Sequence, residues 1–98
     1  MIRFQRSVQL RKGAHALGWA KELTIYINTA IGKPTLEIFR CRFGNMSTVY
    51  WVADFEGLNA LEAWQKKLKA DVGYRELTSR AGEFVIDGTV DDRVLESV

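Results

Sequence analysis

Along this 98-residue chain the spacing of the apolar residues switches from two to about 3.6 and back, twice. Ile2, Phe4, Val8 and Leu10 alternate with Arg3, Gln5, Ser7 and Gln9, the pattern of a strand with one buried face. Arg6 is the residue out of phase. From 14 to 31, Leu17, Ala20, Leu23, Ile27 and Ile31 recur at three- and four-residue steps, flanked by Trp19 and Tyr26. That spacing predicts an amphipathic helix, with His15, Glu22 and Thr29 on its solvent side. Gly32 is placed to cap it and Pro34 bars its continuation. Residues 35–43 and 48–55 read as strands joined through Gly44-Asn45-Met46-Ser47, so they are antiparallel neighbours. The expected register pairs Phe43 with Val49, Cys41 with Trp51 and Phe39 with Ala53. It gathers apolar residues on one face and leaves Arg40, Arg42 and Tyr50 on the other.

Residues 57–69 form a second helix through Leu58, Leu61, Trp64 and Leu68, with Glu62, Lys66, Lys67 and Lys69 in solvent. Asp71-Val72-Gly73-Tyr74 bends the chain, and a helical pattern resumes over 75–81. Phe84-Val85-Ile86 is the expected fourth strand, ended by Asp87-Gly88. Residues 89–98 are a mixed tail in which Val94, Leu95 and Val98 need cover.

The order β-α-β-β-α-β, with right-handed crossovers, gives an α+β fold of the ferredoxin-like type. Residues 1–98 then make one domain: a four-stranded antiparallel sheet with two helices on one face. The other face stays open, and Leu36, Ile38, Tyr50 and Val52 are expected there. An apolar patch on an open sheet marks an interface. A second copy packed face to face covers it and closes a dimeric α/β barrel. Burial favours this too, since a chain of this size hides only about 60–65% of its unfolded surface when it folds alone.

Net charge is +2, too small to call for nucleic acid or a membrane surface. The third strand lacks the glycine and basic residue of an RNA-recognition strand and ends on Asp54-Phe55. No apolar run reaches the length of a membrane span, and the N-terminus alternates at once, unlike a signal segment. Single Cys41 and single His15 exclude an internal disulfide and His- or Cys-rich metal sites. Neither a metal nor a cofactor is expected, and a reducing cytoplasm fits.

Three stretches carry a family resemblance. They are Tyr50-Trp51-Val52-Ala53-Asp54-Phe55-Glu56-Gly57-Leu58, then Leu68-Lys69-Ala70-Asp71-Val72-Gly73-Tyr74, then Phe84-Val85-Ile86-Asp87-Gly88-Thr89-Val90-Asp91-Asp92-Arg93-Val94-Leu95. Together they resemble the dimeric α/β-barrel superfamily, in its NIPSNAP-like branch. Members of that branch often show a Trp in the third strand, an Asp-x-x-Tyr bend and a Gly-Ser/Thr-x-x-Asp tail. Here these are Trp51, Asp71 with Tyr74, and Gly88-Thr89 with Asp92. Val8-Gln9-Leu10-Arg11-Lys12-Gly13 resembles the family's exit from its first strand. The resemblance implies the fold and a homodimer. The superfamily includes cofactor-independent monooxygenases, haem-degrading enzymes, isomerases and lyases. The matched motifs are packing and turn signals, so no catalytic residue carries over, and His15 lies far from the haem-ligand position of the haem-degrading branch.

The expected ligand-binding set is Arg40, Arg42, Tyr50, Trp51 and Asp54. Arginines clamp a carboxylate or enolate bidentately, Tyr50 donates to a developing oxyanion, and Trp51, with Trp64, walls an aromatic ligand. The competing reading makes Arg40 or Arg42 an interface ion pair with Asp54 or Glu37, and makes Trp51 and Trp64 core residues. It carries more weight, because buried charges need partners and aromatic stripes usually pack. His15 reads as a surface histidine and Cys41 as an inert thiol. Three functions remain open: a small enzyme acting as a monooxygenase, isomerase or lyase on a small organic molecule, a non-catalytic small-molecule binder, and a dimerisation module.

Overall fold

The strand β1 (Ile2–Gln9), whose inner face is apolar except at Arg6, sits between two others. The computed structural model describes the backbone of residues 1–98 and every side chain except that of Ala14. After β1 come α1 (Ala14–Ala30), β2 (Glu37–Arg40), β3 (Thr48–Phe55), α2 (Leu58–Ala70), α3 (Val72–Ser79), α4 (Ala81–Phe84) and β4 (Asp91–Glu96). The sheet order is β2-β3-β1-β4, antiparallel throughout. This is the ferredoxin-like α+β arrangement. Ile2, Phe4 and Val8 pack with Val49, Trp51, Ala53 and Phe55 of β3 in one core with Ala16, Trp19, Ala20, Leu23 and Ile27 of α1 and Leu61, Trp64 and Leu68 of α2. No described helix is long and apolar enough to cross a membrane.

The helix α1 ends where its sequence stops being helical. Ile31 donates its backbone N–H to the Ile27 carbonyl, and Gly32 follows at φ 85°, the left-handed turn a glycine takes most cheaply. The next turn is fixed by a side chain. Asn28 donates to the Leu36 carbonyl at 2.9 Å and accepts the Leu36 N–H at 2.8 Å. Leu36 is thereby held in the core, not on the open face.

That clamp corrects the hairpin. The observed pairs are Arg40 with Val49, Phe39 with Tyr50, Ile38 with Trp51 and Glu37 with Val52. The expected register is displaced by three residues, an odd number, so every side chain of β2 changes face. With Leu36 pointing inward, Ile38 and Arg40 fall on the helix side and Phe39 on the open side. The strand stops at Arg40 rather than Phe43. Beyond it, Cys41 N–H bonds the Thr48 carbonyl, and Asn45 folds a turn by accepting from the Ser47 N–H. Phe43, expected in the core, is 90% exposed in that loop.

The fourth strand is also displaced. Phe84 ends α4, and Val85 makes only an isolated bridge to Leu10. Gly88 at φ 79° turns the chain, Thr89 Oγ accepts the Gln9 N–H, and the tail then pairs with β1 from Ser7–Asp91 to Ile2–Glu96. The expected strand and the real one thus follow the same edge of β1. Arg11 N–H donates to the Phe84 carbonyl and Ile86 N–H to the Gln9 carbonyl, which holds the first of them on that edge.

The bend after α2 is built by Asp71. Its carboxylate caps α3 by accepting the Tyr74 N–H at 2.8 Å, and it accepts the Tyr26 hydroxyl proton at 2.6 Å. Gly73 is required here by space: a Cβ would collide with the hydroxyl end of the Tyr26 ring.

Candidate functional site

The three tryptophans of the chain come from three elements and meet on the helix side of the sheet. Trp19 comes from α1, Trp51 from β3 and Trp64 from α2, and each is about 95% buried. Between them lies a cavity of about 460 Å³. Trp19 and Trp51 meet edge to face, with ring centroids 6.4 Å apart. Trp19 also stacks on Phe84 at 5.3 Å. Trp64 packs against Phe55 at 5.4 Å and Phe4 at 6.1 Å.

The indole N–H groups are treated unequally. Trp19 Nε1 donates to the Leu77 carbonyl at 2.9 Å, tying α1 to α3. Trp51 Nε1 donates to Thr24 Oγ1 at 2.9 Å, and that hydroxyl in turn donates to the Ala20 carbonyl. Trp64 Nε1 is buried and, among the described residues, has no hydrogen-bond partner. Leaving such a donor unpaired costs about 1–3 kcal/mol. Cores seldom tolerate that cost without a reason.

The polar wall is the residue that broke the alternation. Arg6 stands opposite Trp51 on one side and Asp92 on the other, so its side chain faces the helices. It holds Asp92 bidentately, Nε to Oδ1 at 2.7 Å and Nη2 to Oδ2 at 2.8 Å. Its guanidinium also lies 5.8 Å from the centre of the Phe4 ring. The hydrogen bond to Asp92, more than any other influence, raises the Arg6 pKa above its ordinary value, with a smaller contribution from nearby Tyr74. The charge on Arg6 is therefore permanent. Gln65, Lys69, Tyr74 and Thr78 complete the polar part of the lining.

The five side chains expected to bind ligand are not brought together. Trp51 lines the cavity. Tyr50 and Asp54 point to the opposite, open face of the same strand. Asp54 is held there by Arg3 of the same chain, at 2.7 and 3.0 Å, and not by Arg40 or Arg42. The Arg3 guanidinium keeps the Asp54 carboxyl below the usual carboxylate range. Arg40, moved by the register change, borders a shallow hollow of about 180 Å³ with Leu17, Lys21 and Ile38 on the helix side. Arg42 lies exposed in the loop after β2. Sequence reasoning placed Arg3 and Gln5 on the open face correctly, but it passed over Arg6, Tyr74 and Asp92 as site residues. The break in β1 alternation was the available signal for the first.

With this geometry in hand, similarity to known proteins can be placed. No family model and no curated protein matches the sequence. Solved structures do match. A NIPSNAP family protein from Agrobacterium tumefaciens superposes with a TM-score of 0.81 at 21% identity, over 99% of this chain and 92% of that one. A NIPSNAP domain protein from Burkholderia xenovorans gives 0.79 at 14% identity, over 100% and 95%. The chain carries the ferredoxin-like fold of the NIPSNAP proteins. A Deinococcus radiodurans protein named after the antibiotic-biosynthesis monooxygenases shares it, with a TM-score of 0.68 at 12% identity, over 100% of this chain and 93% of that one. These identities establish architecture, and the chemistry must be argued from the site.

Proposed function

We propose that residues 1–98 act as one domain, paired with a second copy through the open sheet face, that takes a small planar organic molecule into the indole-lined cavity and converts it there. The observation that carries this reading is the cavity. Its volume of about 460 Å³ falls within the usual range of small-molecule sites. A core packed only for stability closes such a space and pairs a donor like Trp64 Nε1. Arg6 lines the same volume and keeps N–H groups beyond the two that hold Asp92, which suit a substrate oxygen that gains charge during reaction. The fold shared with the Deinococcus protein supports an enzyme acting on an organic molecule.

A second reading, binding without turnover, is favoured by one observation: the carboxylate at the cavity, Asp92, is already engaged by Arg6, so it is not a free general base. Native mass spectrometry after incubation with 2-acetylnaphthalene, followed by mass analysis of the released probe, separates the readings. A dimer that carries the probe and returns it changed supports the enzyme. A dimer that returns it unchanged supports the binder. A monomer that takes up no probe contradicts both.

A further inference from the structure

The loop between β2 and β3 holds two apolar side chains out in solvent. Phe43 is 90% exposed and Met46 65% exposed. The loop that carries them is bonded to itself. Cys41 donates its backbone N–H to the Thr48 carbonyl at 3.0 Å and its thiol to the Phe43 carbonyl at 2.8 Å. Gly44 turns the chain at φ 103°, and the Asn45 carbonyl accepts the Thr48 N–H at 3.1 Å. Cations gather at the same end of the sheet. Arg40 ends β2 and borders the hollow of about 180 Å³ together with Lys21 of α1. Arg42 is exposed within the loop. Lys12 is exposed just past Leu10, whose N–H bonds the Ser47 carbonyl at the end of the loop. Among the described residues, none of these four cations forms an ion pair. Arg11 turns away, to the Gly82 carbonyl. Glu22 follows Lys21 on α1, while Glu83, paired with Arg80, and Asp87 lie on the β4 side of β1. A net charge of +2 for the whole chain averages over this placement and conceals it.

Two apolar side chains on one loop are too few for the core of a protein interface, which buries about 800 Å² on each partner. A lipid surface asks for less: a small apolar wedge and positive charge around it, each weak alone and effective together. We infer that the loop of residues 41–47 docks this protein on an anionic bilayer, with Phe43 and Met46 entering the boundary between headgroups and acyl chains and Lys12, Lys21, Arg40 and Arg42 meeting the lipid phosphates. The internal bonds of the loop lower the entropy lost on docking, because the tip is already held outward. This surface is independent of the helix-side cavity and needs no ligand there.

The test is co-sedimentation of the full chain with vesicles of phosphatidylcholine alone and of phosphatidylcholine with about one-third phosphatidylglycerol. Native protein should bind the mixed vesicles about tenfold or more tightly than the neutral ones, and raising the salt from about 0.05 to 0.5 M should weaken that binding. Phe43→Ser combined with Met46→Ser should cost about tenfold on the mixed vesicles. Arg42→Gln should cost about fivefold there. Circular dichroism checks folding, and sedimentation in the absence of lipid reads the oligomeric state of each variant. A further variant reads insertion directly. Phe43→Trp adds one exposed indole to three buried ones, and its emission should shift to the blue on mixed vesicles. Native protein that ignores the mixed vesicles, or binds both kinds equally, overturns the inference. So does a folded Phe43→Ser, Met46→Ser variant that binds lipid as native protein does. A double variant that loses a dimer seen in native protein assigns the loop to contact with a second copy and overturns the inference as well.

Discussion

Each face of the sheet carries a bidentate Arg–Asp pair between neighbouring strands, built from the same chemistry. On the open face Arg3 of β1 holds Asp54 of β3, and on the helix face Arg6 of β1 holds Asp92 of β4. Exposure hardly separates them: the side chains are 50% and 39% accessible in the first pair, 38% and 42% in the second. What differs is the company. Arg3 and Asp54 share their face with Gln5 and Tyr50, the face proposed to meet a second copy, and in a single chain water reaches them there. Arg6 and Asp92 stand against Phe4 and the cavity that Trp51 lines. The same ion pair is a surface feature on one side and part of a binding wall on the other. Neighbours, more than the pair's own geometry, decide its role.

The largest test of this contrast uses adjacent residues of β3. Trp51→Ala opens the core and should cost about 3–5 kcal/mol in urea unfolding. Tyr50→Ala, one residue away on the open face, should cost under about 1 kcal/mol when the chain is monomeric. An equal cost at Tyr50 would mean that the open face is buried far more deeply than its exposure shows.

A smaller effect concerns the open face itself. Phe39 stands there at 50% exposure beside Tyr50, so Phe39→Asp hardly disturbs a single chain. If a twin covers that face as proposed, the variant should sediment as a monomer at micromolar concentration while native protein sediments as a dimer. A variant that remains dimeric places the contact elsewhere. On the helix side, Gly73→Ala forces a methyl group into the Tyr26 ring and should cost about 1–3 kcal/mol, read as a lower urea midpoint. The loss should be much smaller in a Tyr26→Ala background, because the clash is then gone.

The smallest effects are in the pH dependence. The Tyr26 hydroxyl bond holds Asp71 below the ordinary carboxylate range, as Arg3 does for Asp54. A lowered pKa means stability that is present above the unfolded carboxylate value, about 3.9, and lost as pH falls through the folded value. The same Asp71 bond raises the Tyr26 phenol, so its contribution is present below about 10 and lost as pH rises through the raised value. Thermal midpoints should therefore fall at both extremes. Asp54→Asn should soften only the acid side, whereas Tyr26→Phe should soften both. An unchanged alkaline limb in Tyr26→Phe would contradict the assignment of that limb to the α1–α3 contact.

The parts of this fold that were legible in sequence are those whose burial is one-sided. The alternation of β1 and the wide stripe of α1 each point to a single packing solution. The β2–β3 register was not legible, because residues 36–43 offer apolar side chains to either face. The choice between them is made by Asn28, eight residues before Leu36, through two hydrogen bonds that no periodicity reveals. β4 was hidden for a related reason: Asp91-Asp92-Arg93-Val94-Leu95-Glu96 has no alternation, and all six residues remain exposed on an edge. With β4 unseen, Asp92 could not be matched to Arg6, 86 positions away. The site was therefore sought in the arginines that the wrong register placed together. Arg6 itself was visible as an anomaly, and the anomaly was the useful observation.

A ligand that enters the helix-side cavity lies against the rings of Trp19, Trp51 and Trp64. Three indole N–H protons give three separate signals in a nitrogen–proton correlation spectrum, and two of them are already hydrogen-bonded to the protein. On titration with 2-acetylnaphthalene the indole signals of these three residues should shift as its ring packs against them, while the backbone signals of Tyr50 and Asp54 stay in place. Indole signals that stay in place while the open-face signals shift would contradict entry into the cavity.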